Sequence, residues 1–139
     1  MDAIMVADPP KQRWQELADF DLTRPDEALA LVERFLGEWF NGGLSQLFSN
    51  WNGADIVLIP EALRIIGAAE AAPVIEAAIA EFPADQDDWR DLGHDALLNK
   101  ASPLRPRLWD LDSALASHEA AMTQAVADFE LKLSEGEDL

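Results

Sequence analysis

A chain of 139 residues carries 27 Asp and Glu against 10 Lys and Arg, a formal net charge of −17, while 49% of its residues are hydrophobic. Chains this acidic commonly lack the apolar content that offsets the entropy of ordering; here that content is present, and a folded polyanion is expected rather than a solvated tail. The charge argues against direct binding to DNA, RNA or an anionic membrane through long-range repulsion, and the absence of Cys excludes disulfides, thiol chemistry and thiolate metal sites.

The length predicts one domain. No apolar run approaches the roughly 18 residues of a membrane span. Met1–Pro10 has no basic region and only Ile4-Met5-Val6 as an apolar run, so it does not read as a signal peptide, and a cytoplasmic location is expected. A compact chain of this length is roughly 35–40 Å across. B-DNA carries roughly 20 charges over that distance, the same order as the net charge here.

The periodicity is helical nearly throughout. Ala28, Leu29, Leu31, Val32, Phe35, Leu36, Trp39 and Phe40 recur at i, i+3, i+4 and i+7 and predict an amphipathic helix. Thr23 is its expected cap, with Pro25, Asp26 and Glu27 in the first turn. Asn41-Gly42-Gly43 is expected to stop it, because Asn and Gly accept the left-handed conformation at a helix end. Leu44, Leu47, Phe48 and Trp51 then suit a short helix, closed by the turn signal Asn52-Gly53. Asp55 is the expected cap of a helix carrying Ile56, Ile59, Leu63 and Ile66 and ending at Gly67. Pro60 either marks its true start or kinks it. Val74, Ile75, Ala78, Ile79 and Phe82 predict a helix after Pro73. Trp89, Leu92 and Ala96 suggest a further acidic helix, Pro103 and Pro106 a loop, and Met122, Ala125, Val126, Phe129 and Leu133 a C-terminal helix. Ile56-Val57-Leu58-Ile59 is the one β-like run, and Asp55 and Pro60 bracket it too closely for a strand. The expected class is all-α: a single-domain bundle of about six to eight short helices over residues 1–133, with a frayed acidic tail at 134–139. The apolar stripes, with the Trp residues at 14, 39, 51, 89 and 109, read mostly as core.

The charge is uneven. Residues 81–99 hold six acids (Glu81, Asp85, Asp87, Asp88, Asp91 and Asp95) against Arg90 alone, and residues 110–139 hold eight acids against Lys132 alone. Between them lies a basic island of Lys100, Arg105 and Arg107 with no acid.

Motifs for catalysis are sparse. His94 and His118 have no second His at metal-ligand spacing. Ser117-His118 is adjacency in sequence, not triad geometry, and there is no G-x-S-x-G elbow. Gly42-Gly43 lacks the Lys-Ser/Thr of a phosphate loop. Asp85-x-Asp87 opens like a calcium loop but continues with Trp89, Arg90 and Ala96 where that loop needs a ligand, Gly and Glu. No catalytic, cofactor-binding or metal-binding residue is expected, and no enzyme activity.

The string Asn41-Gly42-Gly43-Leu44-Ser45-Gln46-Leu47-Phe48-Ser49-Asn50 reads N-G-G-x-x-Q-x-F-x-N. An acid- and aromatic-rich helix precedes it (Glu33, Phe35, Glu38, Trp39, Phe40), and a helix ending Leu63-x-x-Ile66-Gly67-Ala68 follows. Over about residues 33–82 the chain resembles the C-terminal domain of the bacterial DNA-mimic protein family, a small acidic all-helical domain. A weaker echo is Leu108-Trp109-Asp110-Leu111-Asp112, where that family tends to have a Leu-Asp pair before its last helices. From the residues alone the motif reads as structural: Asn41 and the glycines make a tight exit, and Gln46 and Asn50 satisfy backbone groups the turn leaves unpaired. The alternative is a polar recognition pocket of Asn41, Gln46 and Asn50.

The resemblance implies function by charge. A member of this family would occupy the DNA-binding face of a transcription regulator or nucleoid protein and compete with DNA. The expected partner is therefore a basic DNA-binding protein, with no direct nucleic-acid or membrane contact, bound by a monomer or homodimer. On a helix, carboxylates four residues apart are about 6 Å apart along the axis. Asp87, Asp91 and Asp95 keep that spacing, with Asp88 beside them. The expected partner-binding set is Glu81, Asp85, Asp87, Asp88, Asp91, Asp95, Asp110 and Asp112. The chain departs from the family pattern in gathering acids after Phe82 and in its basic island. Rival readings are an immunity- or antitoxin-type inhibitor of a basic nuclease, and a generic protein-interaction module.

Overall fold

The long apolar stripe that begins at Ala28 forms α1 (Pro25–Asn50), the longest of the described helices and the one on which most of the others pack. The structure, a computed structural model, describes residues 19–51, 53–81 and 104–136. After α1 come a single turn, α2 (Gly53–Ile56), then α3 (Ile59–Ile66), a 3-10 turn (Ala69–Ala71), α4 (Ala72–Ile79), α5 (Leu104–Ala116) and α6 (Glu119–Ser134). No strand occurs among the described residues, and the fold is all-α. The expected acidic helix around Trp89, together with Asn52, Phe82 and the rest of residues 82–103, lies outside the described residues, as do Trp14 and residues 137–139.

The core is one apolar cluster. Leu31, Phe35, Leu44, Leu47 and Phe48 of α1 meet Ile59 and Leu63 of α3, Ile75 of α4, Leu108 and Leu115 of α5 and Met122 of α6, all removed from solvent. α1 touches α3, α5 and α6, and α4 bridges α3 to α5. The stability of this arrangement comes from buried apolar side chains, which contribute roughly 1.5–3 kcal/mol each.

Prolines mark helix starts. Pro25, Pro60 and Pro73 each lie in a first turn, where a missing N–H removes no helical bond. Pro60 therefore marks the true start of α3. Pro106 does the same in α5, so the loop expected at Pro106 is instead a helix from Leu104, while Pro103 lies outside the described residues. Gly67 ends α3 with φ +96° and lets the Ala68 N–H donate to the Leu63 carbonyl (2.8 Å), a left-handed closure of the kind expected.

Two expected caps serve other purposes. Arg24, not Thr23, occupies the capping position of α1, with no side-chain cap bond. The Thr23 hydroxyl and N–H both donate to Asp21 Oδ1 (2.6 and 3.0 Å), which holds the Asp21 carboxyl below its ordinary value. Asp55 sits within the single turn α2 rather than ahead of it. It is the one buried charged side chain among the described residues, and its Oδ1 accepts the Asp19 N–H (2.9 Å). That bond ties the segment leading into α1 to the chain that leaves it.

The stop expected at Asn41-Gly42-Gly43 takes the form of a break at Gly43, where two helical segments of α1 meet at a bend. Gly43 has φ +74° and ψ −171°, a conformation that only glycine adopts without strain. Past the bend the helix restarts, and the Leu44 N–H has no helical carbonyl to meet. Asp112 of α5 supplies the acceptor: its Oδ1 takes the Leu44 N–H (2.9 Å) and the indole N–H of Trp39 (3.0 Å). One carboxylate thus holds both sides of the bend and places negative charge at the start of a helical segment, where the backbone dipole favours it. A Cβ on Gly43 would come within 3.0 Å of Asp112 Oδ2, and one on Gly42 would overlap the Gln46 side chain. The glycine pair makes the tight exit expected of it. Gln46 lies over Gly42, whereas the Asn50 amide donates to Glu38 Oε1 (2.9 Å) rather than to a backbone group.

Replacing Asp112 by Ala leaves two donors at the bend without their acceptor and should destabilise the fold by about 2–4 kcal/mol in urea unfolding. Asp112→Asn, whose amide oxygen still accepts, should cost about 1 kcal/mol or less. Gly43→Ala should cost about 1–3 kcal/mol, and the two losses should combine to less than their sum because both break the same node. A loss under about 0.5 kcal/mol for Asp112→Ala would contradict this role.

Candidate functional site

The acidic surface is defined by where the few cations go. Arg24 pairs with Asp26 and Glu27 (3.7 and 3.5 Å), Arg64 with Glu76 (3.0 Å) and Arg107 with Glu81 (3.0 Å). Arg34 instead lies between the Phe20 and Trp51 rings (5.6 and 5.7 Å to the centroids), and Arg105 lies over Trp109 (5.4 Å). Arginine does this readily because its planar, weakly hydrated guanidinium stacks on ring faces. Two of the arginines are thus engaged by rings. Asp19, Glu33, Asp110, Glu119, Asp128 and Glu130 are exposed and make no ion pair among the described residues.

The expected contact residues fall into different settings. Asp110 is exposed on α5. Glu81 is half-buried and joined to Arg107, so the basic island reaches back to the first acidic block. Asp112 is half-buried, and its carboxylate faces the bend in α1. Asp85, Asp87, Asp88, Asp91 and Asp95 lie outside the described residues. In the Asn41–Asn50 motif, Asn41 and Gly42 are exposed, Gly43 and Gln46 half-buried, and Asn50 exposed and bonded to Glu38.

Two side chains expected in the core are at the surface. Trp39 is buried (8% exposed), but its neighbour Phe40 is 57% exposed. α5 turns Leu104, Leu108 and Leu115 inward, which leaves Trp109, about 100° around the helix from Leu108, 55% exposed. Trp51 is half-buried against Arg34.

The structure also brings together a pair that spacing along the sequence does not reveal. Glu33 of α1 faces Glu130 of α6. Partial loss of solvent, then the Glu130 charge, raise the Glu33 carboxyl above its ordinary value. Each glutamate directly follows a core residue, Val32 or Phe129, and so lies at the edge of a packed face. That signal is present in the sequence, but which two helices share the seam is not.

Among the described residues, no group of three or more His, Asp or Glu is arranged to hold a metal ion. No described helix is long and apolar enough to cross a membrane. His118 lines a cleft of about 290 Å³ with Glu70 and Met122, and the neighbouring Ser117 hydroxyl donates to the Ala114 carbonyl rather than to the imidazole.

A family model described as "DMP19-like protein" matches residues 20–133. No curated protein and no solved structure matches the chain.

Because Glu33 ionises less readily folded than unfolded, its charge opposes folding at neutral pH, and that opposition disappears once pH falls below the ordinary glutamate range. The pair is well exposed and screened, so the effect is small. Glu33→Gln or Glu130→Gln should raise Tm by about 1–2 °C at pH 7 and leave it unchanged, relative to wild type, near pH 3.5. A lower Tm for both variants at pH 7 would show that the two carboxylates do not oppose each other.

Proposed function

The chain belongs to the DMP19-like protein family, a family of DNA mimic proteins, and from that premise we propose that its acidic surface occupies the DNA-binding face of a basic DNA-binding protein. The observation that carries the reading is the fate of the cations. On a chain of net charge −17, arginines are drawn onto aromatic rings or into short-range pairs, and exposed carboxylates from α1, α5 and α6 are left unneutralised. A rigid helical frame then presents anions that a solvated tail would present only after paying for their ordering.

The mechanism is electrostatic steering followed by exclusion. A negative surface attracts a groove built for phosphates, speeds encounter, and blocks the groove once docked. Asp110 and the exposed acids of α6 are the described residues best placed for this. The block Glu81–Asp95, most of which lies outside the described residues, is the proposed extension, with Asp87, Asp91 and Asp95 four residues apart in the sequence. Asp112 contributes by holding the bend, not by offering its bonded oxygen. The partner is a transcription regulator or nucleoid protein of a bacterial cytoplasm; the chain acts without cofactor or catalysis, as a monomer or homodimer, and touches no nucleic acid itself.

Immobilised protein incubated with lysate of its own host at about 50 mM NaCl should retain basic DNA-binding proteins and release them by about 300 mM, as screening shortens the reach of the charges. Retention of no basic protein would sink the reading. Retention of a nuclease alone, with loss of its activity, would favour an immunity-type inhibitor instead.

A further inference from the structure

Three large apolar side chains are more than half exposed among the described residues: Phe40, Trp109 and Leu131. Two of them flank the same node. Phe40 lies one helical turn before Gly43, and Trp109 one turn before Asp112, each about 5 Å along its axis from the bend that Asp112 holds. Phe40 packs one side against Trp39, with ring centroids 5.4 Å apart and planes tilted by 40°. The carboxylate of Asp110 follows Trp109 directly and is exposed.

We propose that Phe40 and Trp109 are apolar anchors within the acidic surface and that they take arginine side chains of the basic partner by stacking. The inference rests on the reading of the preceding section and adds to it a contact that is not DNA-like charge. Three observations support it. The chain already uses its rings this way, holding Arg34 between Phe20 and Trp51 and Arg105 over Trp109. Among the described residues no cation lies over Phe40, and Trp109 remains more than half open beside Arg105. Asp110, the next residue on α5, is exposed and adds negative charge to the surface that a guanidinium approaches. The occupant follows from charge complementarity: a chain of net charge −17 repels an anionic membrane but attracts a basic protein. Exposed aromatic residues at the centre of an interface commonly carry much of its affinity, while surrounding charges set encounter rate and salt dependence.

The experiment uses the full chain and two labelled probes of equal charge, a ten-residue arginine peptide and a ten-residue lysine peptide, titrated at about 50 and 200 mM NaCl. Arginine stacks on aromatic faces better than lysine, so wild type should bind the arginine peptide more tightly. In Phe40→Ala/Trp109→Ala that advantage should shrink by about threefold or more, with lysine-peptide affinity and the salt dependence of both peptides unchanged. Glu119→Gln/Asp128→Asn should instead weaken both peptides alike and flatten the salt dependence. Both rings are exposed, so helicity should survive their truncation; if the double variant loses it, each single variant should still carry part of the loss. An unchanged arginine advantage overturns this inference and leaves the charge reading intact. Failure of wild type to bind either peptide at low salt overturns the charge reading and this inference with it. A dimer that dissociates in the double variant while the arginine advantage persists assigns the rings to self-association and overturns the proposal.

Discussion

One oxygen of Asp112 accepts the Trp39 indole and the Leu44 amide, and the geometry of the rest follows from that junction. α1 packs on α3, α5 and α6, and it bends at Gly43. A bend interrupts the helical ladder and leaves a donor unpaired at the restart. Gly43 makes the bend sterically available, and Asp112 supplies the missing acceptor from another helix. Neither works alone: a glycine without the carboxylate leaves a donor unpaired near the core, and a carboxylate without the glycine meets a Cβ.

The same chain must tolerate a large self-repulsion. It does so by separating two tasks. Apolar burial, centred on Phe35, Phe48, Leu63 and Leu108, supplies the cohesion, while charge stays at the surface, where solvent screens it. Buried Asp55, which accepts the Asp19 N–H, is the exception among the described residues, and at the surface partial loss of solvent and the Glu130 charge raise the Glu33 carboxyl. Arg34 and Arg105 lie against rings rather than in ion pairs with carboxylates, and exposed acids of α1, α5 and α6 stay unpaired among the described residues.

Local signals in the sequence were legible where local physics decides. The 3.6-residue stripes of α1 and α6, the glycine closures at Gly43 and Gly67 and the start at Pro60 follow from periodicity and backbone sterics. What could not be read depends on distant partners. Asp112 looks like one more acid in the acidic block 110–139 until Leu44, 68 residues earlier, is placed beside it. Glu81 looks available until Arg107 reaches it across 26 residues. Pro106 reads as a breaker unless α5 is known to start at Leu104. Phe40 and Trp109 each follow a core residue, and the 100° step that exposes them is fixed by how each helix is rolled against its neighbours. The resemblance over residues 33–82 proved to be part of a family match extending over residues 20–133.

Mutual exclusion is the central claim: this surface and DNA compete for one face of the partner. The most direct measurement titrates a captured basic partner with this chain at several fixed concentrations of the partner's DNA, in constant salt. If the chain substitutes for DNA, its apparent Kd should rise linearly with free DNA concentration and no ternary complex should sediment. An apparent Kd that levels off at high DNA, with partner, DNA and this chain migrating together, would contradict the account.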